Sequence, residues 1–494
     1  MSTKDRIHLL KQITLPARFG NLYEAVGPDV TKLLVRPKTE TASELETASL
    51  AINAKGEGLF LPLYGNTGKG KTTLARSLGI FFSSSFSGTI DYTGEISYGK
   101  LNEVVEEERK DQDANSNKIV PINFDHRESN PPSDKELSEI KRFLRSPSLG
   151  ARSIVLWPET SLDRAKKISK KYVDMAGKPA IDIPLEVEGP PRGTWEEIAL
   201  NTLELVNNLS EVEELGVNPK NYDPDKYRSI GEYLGDIAND LATTTAKLIR
   251  ETRKPLTLVI NFVTGSHTAG VLSQLTNNDR FGLLDGRALV SATSNSRIGK
   301  WWKERMSLLT RTIYTLDAHA FSLPPASSVS ILRTYGDEEV KSQLREMDIA
   351  GSGPKKVVRD FSRTDVGKYL LGEERSTFEG RGKPPEKSTP AFNLLAETGF
   401  THGRDKDLNH ALRRGVEVFC ESKEVNFSNI KSEKELDFCS IIPDNSIHRS
   451  NKVVCLEYTW RKGSFLEGGN RAAAAGYILK KLRSYARELD WTSD

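Results

Sequence analysis

The sequence predicts an α/β protein in which a parallel sheet, interrupted by a helical insertion, is followed by a smaller C-terminal α/β domain. Three observations lead to this prediction. Short apolar runs alternate with amphipathic helical segments through the first half of the chain, which is typical of parallel strands joined by crossover helices. A glycine-rich stretch lies between the first apolar run and the helix that follows it. Close to the end, two more apolar runs lie between two helical segments.

Length and composition agree with a multidomain protein. The chain has 494 residues, 37% of them hydrophobic and 28% charged, and a chain of this length usually forms about two to four domains. The formal net charge of +2 excludes a strongly basic coat for nucleic acid. No apolar run approaches the ~20 residues of a membrane span, so we expect a cytoplasmic location and no membrane partner. The cysteines lack the spacing of a zinc site or a disulfide framework; they are Cys420, Cys439 and Cys455.

Four regions follow one another along the chain. We predict an N-terminal segment at 1–50, the first α/β domain at 51–335 with its helical insertion at about 161–251, a linker or lid at 336–405, and the C-terminal domain at 406–494. The linker prediction depends on glycine- and proline-rich stretches that lack a long apolar period. Strands of the first domain are predicted at 58–64, 119–125, 153–157, 256–262, 288–293 and 312–316.

The glycine-rich stretch reads GNTGKGKT and fits the phosphate-binding pattern G-x-x-x-x-G-K-[ST] at every fixed position. Between a strand and a helix, its backbone N–H groups and the positive end of the helix converge on one point, where phosphate groups bind. Lys71 is expected to reach the β- and γ-phosphates, and the Thr72 hydroxyl to bind Mg²⁺. The predicted nucleotide-binding residues are Gly65, Asn66, Thr67, Gly68, Lys69, Gly70, Lys71, Thr72 and Thr73.

Hydrolysis of a nucleotide also needs an acidic residue at the end of a strand, to hold Mg²⁺ or orient water. Glu159 follows the most apolar strand and is the first candidate for the catalytic acid. Asp125, at the end of the 119–125 strand, is the second. Asn261, in the later strand at 256–262, is a candidate polar sensor of the γ-phosphate, as are Ser294 and Asn295.

The strand order and the 65–72 motif resemble those of AAA+ and related signalling P-loop ATPases. The resemblance implies a P-loop fold, ATP and Mg²⁺ as cofactors, and assembly into a homo-oligomer. The guanine-specific Asn-Lys-x-Asp motif does not occur, so ATP is the expected nucleotide.

The last ninety residues carry a second group of charged residues. A helix is predicted at 412–425, a strand at 438–442 that ends in Pro443 and Asp444, a strand at 453–456 that ends at Glu457, and a long basic helix at 470–489. A helix, a hairpin with Pro-Asp on one strand and Glu on the other, and a further helix resemble the PD-(D/E)xK restriction-endonuclease fold.

This second resemblance implies a magnesium-dependent nuclease centre. By position, Asp444 and Glu457 correspond to the metal ligands of that family, and Glu417 to a helix carboxylate that often supplements them. Thr459 stands where the family has its lysine, so Arg461 or Lys462 would have to supply the positive charge. The stretch from Lys481 to Tyr485 resembles the family's Gln-x-x-x-Tyr motif, with lysine in place of glutamine. Contacts with the phosphate backbone of nucleic acid are predicted for Lys480, Lys481, Arg483 and Tyr485.

Together the two regions predict an ATPase that regulates a nuclease, with nucleic acid, DNA in preference to RNA, as its partner. This organisation resembles anti-phage defence ATPase-nucleases, which work with a partner protein of the same system, and crinkler-type effectors. An alternative is an ATP-driven switch whose C-terminal domain is an inactive binding module. A nucleic-acid motor ranks lowest, because no helicase motifs follow the glycine-rich stretch.

Overall fold

The computed structural model describes residues 7–493 except 111–116, 125–126, 128–129, 253, 267, 350, 352, 374–387 and 402–403. The chain forms two compact units. The phosphate-loop unit comprises Thr14–Val206 and Asn218–Asp240, and the C-terminal unit comprises Met1–Ile13, Asn207–Val217 and Leu241–Asp494. Each unit contains a five-stranded sheet.

The phosphate-loop unit is built around a parallel sheet of strand order β2-β3-β4-β1-β5. Its elements are α1 (Phe19–Val26), α2 (Thr39–Lys55), β1 (Leu59–Tyr64), α3 (Lys71–Phe81), β2 (Ile90–Asp91), α4 (Tyr98–Lys110), β3 (Val120–Asn123), α5 (Asp134–Leu144), β4 (Ser153–Glu159), α6 (Leu162–Ala176), β5 (Leu185–Glu186), α7 (Trp195–Asn207) and α8 (Ile230–Glu251). The boundary between the two units falls within α8. The predicted strands at 58–64, 119–125 and 153–157 correspond to β1, β3 and β4.

Helices cover both faces of this sheet, because successive strand side chains point to opposite faces. Leu61 and Leu63 pack in one hydrophobic cluster with apolar residues of α2 and α3. Phe60 and Trp157 pack in a second cluster with residues of α4, α5 and α6. Burial on both faces explains why these strands read as apolar runs without alternation.

Pro62 lies inside this sheet and not at an edge, since β1 pairs with β4 on one side and with β5 on the other. The backbone N–H of Gly65 donates to Glu159 O on the β4 side. Because N–H groups alternate along a strand, the proline nitrogen faces the β5 side, where β5 pairs only with Leu63 and Tyr64. No hydrogen bond of the ladder is therefore lost, although a proline within a strand usually indicates an edge strand or a bulge.

The C-terminal unit contains a mixed sheet of order β7-β6-β10-β9-β8, in which β7, β6 and β10 are parallel and β9 is antiparallel to both of its neighbours. Its elements are β6 (Leu256–Thr264), α9 (Gly270–Ser273), α10 (Gly286–Ala292), α11 (Arg297–Lys303), α12 (Met306–Thr315), β7 (His319–Leu323), α13 (Pro325–Tyr335), α14 (Glu338–Glu346), α15 (Pro354–Ser362), α16 (Asp365–Leu370), α17 (Ser388–Thr401), α18 (Asp405–Ser422), β8 (Asn429–Ser432), β9 (Asn445–His448), β10 (Val453–Arg461) and α19 (Arg471–Glu488).

Strand β6 was predicted in the same sheet as the glycine-rich loop, but it pairs with β10 along its whole length. All of its residues are buried. A fully buried apolar run fits any central strand, and nothing in its composition specifies the neighbouring strand. The unit that carries the predicted nuclease residues therefore begins well before residue 406.

Two predicted strands, at 288–293 and 312–316, are wrong. Residues 288–292 belong to α10, which begins where the Asp285 carboxylate accepts a hydrogen bond from Ala288 N at 2.8 Å. Residues 312–315 end α12, in which Thr312 Oγ1 donates to Leu308 O at 2.7 Å. Short apolar runs do not distinguish a buried helix from a strand, and threonine tolerates a helix when its hydroxyl bonds to the preceding turn.

The predicted linker at 336–405 is not a linker where the structure describes it. It contains α14 to α17, whose apolar residues join the core of the C-terminal unit, among them Val340, Leu344, Val357, Phe361, Phe392 and Leu395. The helices are short and separated by glycine and proline, which hides their apolar period. The strand expected at 438–442 is also wrong, because the first strand of the meander lies earlier, at β8.

Candidate nucleotide and metal sites

The glycine-rich loop leaves β1 and enters α3 with the strand–loop–helix geometry expected from its sequence. Gly68 and Gly70 both adopt a φ of 82°, which favours glycine. Gly70 is the N-cap residue of α3, and Lys71 is its first residue. The ammonium group of Lys71 is buried and donates to Gly65 O at 2.6 Å. The lysine thus folds back over the loop instead of extending into solvent.

Two further segments of the phosphate-loop unit hold the loop in place. The N–H group of Gly231, at the start of α8, donates to Gly68 O at 3.2 Å. A Cβ atom on Gly68 would come within 2.6 Å of Ser229 Oγ, and one on Gly65 within 2.8 Å of Val187 O. The loop is therefore held in one conformation by contacts that leave no room for side chains at these glycines.

Glu159 lies at the end of β4, directly beside the strand that leads into the loop. It is paired in register with Tyr64, and its side chain is fully buried. Its Oε1 atom accepts hydrogen bonds from Arg164 Nη2 at 2.9 Å and from the N–H groups of Thr160 and Ser161. In the described part of the chain, Oε2 has no hydrogen-bond partner. An unpaired buried carboxylate oxygen on the strand beside Tyr64, where β1 leads into the loop, is compatible with Mg²⁺ or a water bound to it.

The other candidates for this role have different outcomes. Asp125 lies outside the described residues. Asn261 is buried in β6, in the sheet of the C-terminal unit, where its Nδ2 atom donates to Val259 O at 3.3 Å. Ser294 and Asn295 belong to the same unit. Asn261 therefore has a role in the packing of the second sheet.

In the C-terminal unit, the β9–β10 hairpin brings Asp444 and Glu457 together. Asn445, the residue after Asp444, pairs with Leu456, the residue before Glu457. The Tyr458 N–H donates to Asp444 Oδ2 at 2.6 Å. Glu457 is buried, with an exposed fraction of 1%. The predicted pair of carboxylates is thus present at the centre of the sheet.

Helix α19 contributes a cation and a hydroxyl to this pair. Lys481 Nζ lies 2.6 Å from Glu457 Oε2, and Tyr485 OH donates to Glu457 Oε1 at 2.6 Å. Residues four apart share one face of a helix, so both side chains point at the same carboxylate. Both had been predicted as contacts with nucleic acid; instead, Tyr485 is buried and Lys481 is largely enclosed.

Burial and charge shift the protonation equilibria of this cluster. Burial and the nearby charge of Glu457 raise the pKa of Asp444 to about 8. Burial opposes the charge on Lys481, but the negative charge of Glu457 outweighs it and raises the pKa of the lysine. Burial, followed by the charge of Glu457, raises the pKa of Tyr485. A divalent cation would favour the ionised form of Asp444, which is otherwise protonated at neutral pH.

Two predicted members of this site lie elsewhere. Lys462 forms an ion pair with Glu397 at 3.2 Å. Glu417 forms ion pairs with Arg413 and Arg414 on its own helix, α18. Charged side chains three or four residues apart on α18 pair with each other. The position of Lys462, directly after β10, could not show that its side chain pairs with Glu397 and not with the carboxylates of the site.

Three residues that the sequence did not indicate, Asn409, Glu433 and Asn445, lie around Asp444 and Tyr458, whereas Glu417 does not. Glu433 N donates to Asp444 O at 3.2 Å, and the Glu433 carboxylate accepts from Asn409 Nδ2 at 3.1 Å. Asn445 Nδ2 donates to the Tyr458 hydroxyl at 3.2 Å. The Oδ1 atoms of Asn409 and Asn445 are buried without a partner among the described residues. The sequence patterns that indicated Asp444, Glu457, Lys481 and Tyr485 do not include Asn409, Glu433 or Asn445.

The donors beside Asp444 are oxygen atoms, which suit Mg²⁺. Among the described residues, no group of three or more His, Cys, Asp or Glu side chains has the arrangement of a metal site. Mg²⁺ is often held by one or two carboxylates and several waters, and the pair Asp444 and Glu457 agrees with that number. None of the described helices is both long and apolar enough to cross a membrane. No protein-family model and no curated protein sequence matches this chain.

Proposed function

We propose that this chain is a nuclease regulated by ATP. ATP with Mg²⁺ binds at residues 65–73, and a magnesium-dependent centre built on Asp444, Glu457 and Lys481 hydrolyses phosphodiester bonds. The observation that carries the proposal is the convergence of these three side chains, with Lys481 Nζ 2.6 Å from Glu457 and the Tyr458 N–H 2.6 Å from Asp444. Two carboxylates and a lysine in one buried cluster suit cleavage of a phosphodiester.

The phosphate-loop unit has the parts needed for nucleotide binding. Backbone N–H groups at the start of α3 and the positive end of that helix attract phosphate oxygens. Lys71 is held at the loop by Gly65 O and supplies the positive charge. Thr72 and Glu159 would hold Mg²⁺ or its water, and Glu159 in addition orients the attacking water. Arg164 and two backbone N–H groups fix the Glu159 carboxylate for this role.

In the nuclease centre, Asp444 and Glu457 would hold Mg²⁺. When bound, this ion would polarise the phosphate and make a coordinated water more acidic. Lys481 stabilises the negative charge that develops on the phosphate. Its charge comes from α19, because the strand position where the resemblance places a lysine is occupied by Thr459. The Tyr485 hydroxyl orients Glu457 through its hydrogen bond to Oε1.

The test is degradation of labelled DNA and RNA by the purified full-length chain, with and without ATP and Mg²⁺. We expect degradation that needs Mg²⁺, changes in rate with ATP, and is lost in Glu457→Gln while ATP hydrolysis persists. Asp437→Asn is the control, because Asp437 is an exposed carboxylate paired with Lys431. No degradation by the unmodified chain under any nucleotide condition would contradict the proposal.

One observation favours a second candidate, an ATP-driven switch with an inactive C-terminal binding module. Both carboxylate oxygens of Glu457 are already engaged, one by Lys481 and one by Tyr485. An ion pair of this kind can stabilise a fold without any chemistry. The switch predicts ATP-dependent binding to nucleic acid and equal binding by wild type and Glu457→Gln, with no cleavage by either.

A further inference from the structure

A basic surface, called here the α11–α19 surface, lies on helices α11 and α19 of the C-terminal unit and on the N-cap residue of α12, Arg305. Its members are exposed or half-exposed cationic side chains, namely Arg297, Lys300, Lys303, Arg305, Lys480, Arg483 and Arg487. In the described part of the chain, no acidic group lies within ion-pair distance of Lys300, Lys303 or Lys480. The acidic residues interspersed here, Glu304 and Glu488, are each paired with the neighbouring arginine.

The two helices form one continuous surface because tryptophans fix them together. Trp302 is buried and its Nε1 atom donates to Leu479 O of α19 at 2.9 Å. The guanidinium groups of Arg305 and Arg483 lie 4.6 Å and 4.5 Å from the centroid of the Trp301 ring. Both guanidinium groups are thus within cation–π distance of the same ring, and Arg305 Nη1 also donates to Trp301 O at 3.3 Å.

On α19, the basic residues of this surface lie on a different side from the residues that contact Glu457. Successive residues of a helix are rotated by about 100°. Relative to Lys481, which contacts Glu457, Lys480 is rotated by about 100°, Arg487 by about 120° and Arg483 by about 160°. The basic side of α19 is therefore the side that packs towards Trp301 of α11.

We infer that the α11–α19 surface binds the phosphate backbone of nucleic acid. The inference rests on the proposed function for the choice of nucleic acid as the partner, whereas binding itself does not require cleavage. Lysines and arginines that contact phosphates position nucleic acid without reading its sequence. Trp301 is a positioning residue, because it acts through the two arginines stacked on it.

The experiment measures binding of a fluorescent 30-nucleotide DNA and the matching RNA to the full-length chain by anisotropy, in EDTA so that no cleavage occurs. The test variant combines Lys300→Gln, Lys303→Gln and Lys480→Gln. The control combines Lys166→Gln, Lys167→Gln and Lys170→Gln on α6, which removes the same charge from another exposed helix. All six side chains are exposed, so both variants should fold.

For the test variant we expect at least a tenfold weaker Kd. The slope of log Kd against log salt should also fall by about two to three, because each lost phosphate contact removes about 0.7 to 0.9 from it. The control should bind like the wild type. Trp301→Leu should weaken binding less than the triple change, through the loss of fixed arginines.

Equal weakening in both triple variants, or wild-type binding by the test variant, would overturn the inference. Competition by polyglutamate as effective as that by DNA would also overturn it, because the surface would then recognise any polyanion. Failure of the proposed function is distinguishable: the wild type would bind DNA and the test variant would not, but the wild type would show no cleavage in Mg²⁺.

Discussion

Lys481 Nζ lies 2.6 Å from Oε2 of Glu457, although one residue is on α19 and the other is on β10. The Glu457 side chain is 1% exposed and that of Lys481 30% exposed. The helix thereby supplies a positive charge that the strand lacks, because Thr459 occupies the position where the PD-(D/E)xK pattern has a lysine.

Replacement of Lys481 by methionine should both destabilise the protein and abolish cleavage. The change leaves a buried carboxylate without its counter-charge, which typically costs about 3–5 kcal/mol, less here because Lys481 is partly solvated. Urea unfolding measures the first effect and degradation of labelled DNA the second. Lys481→Arg should recover most of the stability, because the charge is kept.

Lys480→Met is the matched control, because this neighbouring lysine is exposed. Its free energy of unfolding should stay within about 0.5 kcal/mol of the wild-type value. If Lys481→Met unfolds at the same urea concentration as this control, the ion pair between Lys481 and Glu457 does not stabilise the fold.

Asp444→Asn should stabilise the protein in a pH-dependent way. Burial and Glu457 raise the pKa of Asp444 to about 8 in the folded state, whereas an unfolded chain has a value near about 3.9. Folding therefore favours the protonated carboxyl, and its stabilising effect is full below the unfolded pKa and is lost as pH rises towards 8. The variant, which does not ionise, should melt at a higher temperature than wild type at pH 8 and at the same temperature at pH 4.

Magnesium should act in the opposite sense, stabilising the wild type at pH 8 more than the variant, since only the wild type offers an ionised carboxylate. The exposed residue Asp490 provides a control, Asp490→Asn, for which neither pH nor Mg²⁺ should alter the difference from wild type. A melting temperature of Asp444→Asn below that of wild type at pH 8 would contradict this account.

Three of the five strands of the phosphate-loop unit could be predicted from sequence because their signals are local, whereas the two-residue strands β2 and β5 were not predicted. The loop needs glycine at fixed positions, and β1, β3 and β4 are apolar runs beside helices. Glu159 could be selected for the same reason, since it follows a strand. The sheet to which a strand belongs is not a local property, since β6 pairs with β10 nearly two hundred positions away. The apolar sequence of β6 indicates only that the strand is buried.

The C-terminal site was predictable in its carboxylates and not in its other members. Asp444 and Glu457 flank a hairpin, so their proximity follows from pairing within a short segment. Glu433 and Asn409 reach the same place through β8 and α18, from positions whose sequence resembles an ordinary surface. Lys481 and Tyr485 were selected by their resemblance to Gln-x-x-x-Tyr and predicted to contact nucleic acid, whereas both contact Glu457, because helical periodicity gives a shared face and not its partner.

In the phosphate loop, Lys71→Ala should remove the thermal stabilisation by ATP and Mg²⁺. A ligand that binds only the folded state stabilises it by mass action, by about 2.7 kcal/mol at a hundred times Kd. The ammonium group of Lys71 is held at the loop by Gly65 O. Lys55→Ala, at the exposed end of α2, is the control. A shift with ATP that survives in Lys71→Ala would show that the nucleotide binds elsewhere or not through this lysine.

Glu159→Gln separates nucleotide binding from hydrolysis at the same site. The amide keeps the shape of the carboxylate, and its oxygen can still accept from Thr160 N and Ser161 N. The thermal shift with ATP should therefore remain, whereas release of phosphate should fall by at least about a hundredfold, the usual scale for loss of a group that orients water. Equal rates of hydrolysis in wild type and Glu159→Gln would assign the catalytic acid to another residue.

A buried ion pair in the C-terminal unit supports a last prediction, on stability alone. His319 Nδ1 lies 3.0 Å from Phe281 O, and Nε2 lies 2.9 Å from Asp317 Oδ1. A carbonyl oxygen can only accept, so Nδ1 donates to Phe281 O. If Asp317 is ionised, Nε2 donates as well and the two side chains form an ion pair, which the following variants test. Both side chains are almost completely buried.

His319→Phe should lower the free energy of unfolding by about 3–5 kcal/mol, because it leaves the Asp317 charge buried without this partner. The double variant His319→Phe, Asp317→Asn should recover part of the loss, since the uncompensated charge is gone. His410→Phe changes an exposed histidine of α18 in the same way and should alter stability by less than about 0.5 kcal/mol. Urea unfolding of the three variants measures these differences. A double variant no more stable than His319→Phe would mean that the loss comes from packing of the ring against Tyr369, 4.6 Å away between ring centroids, and not from the charge.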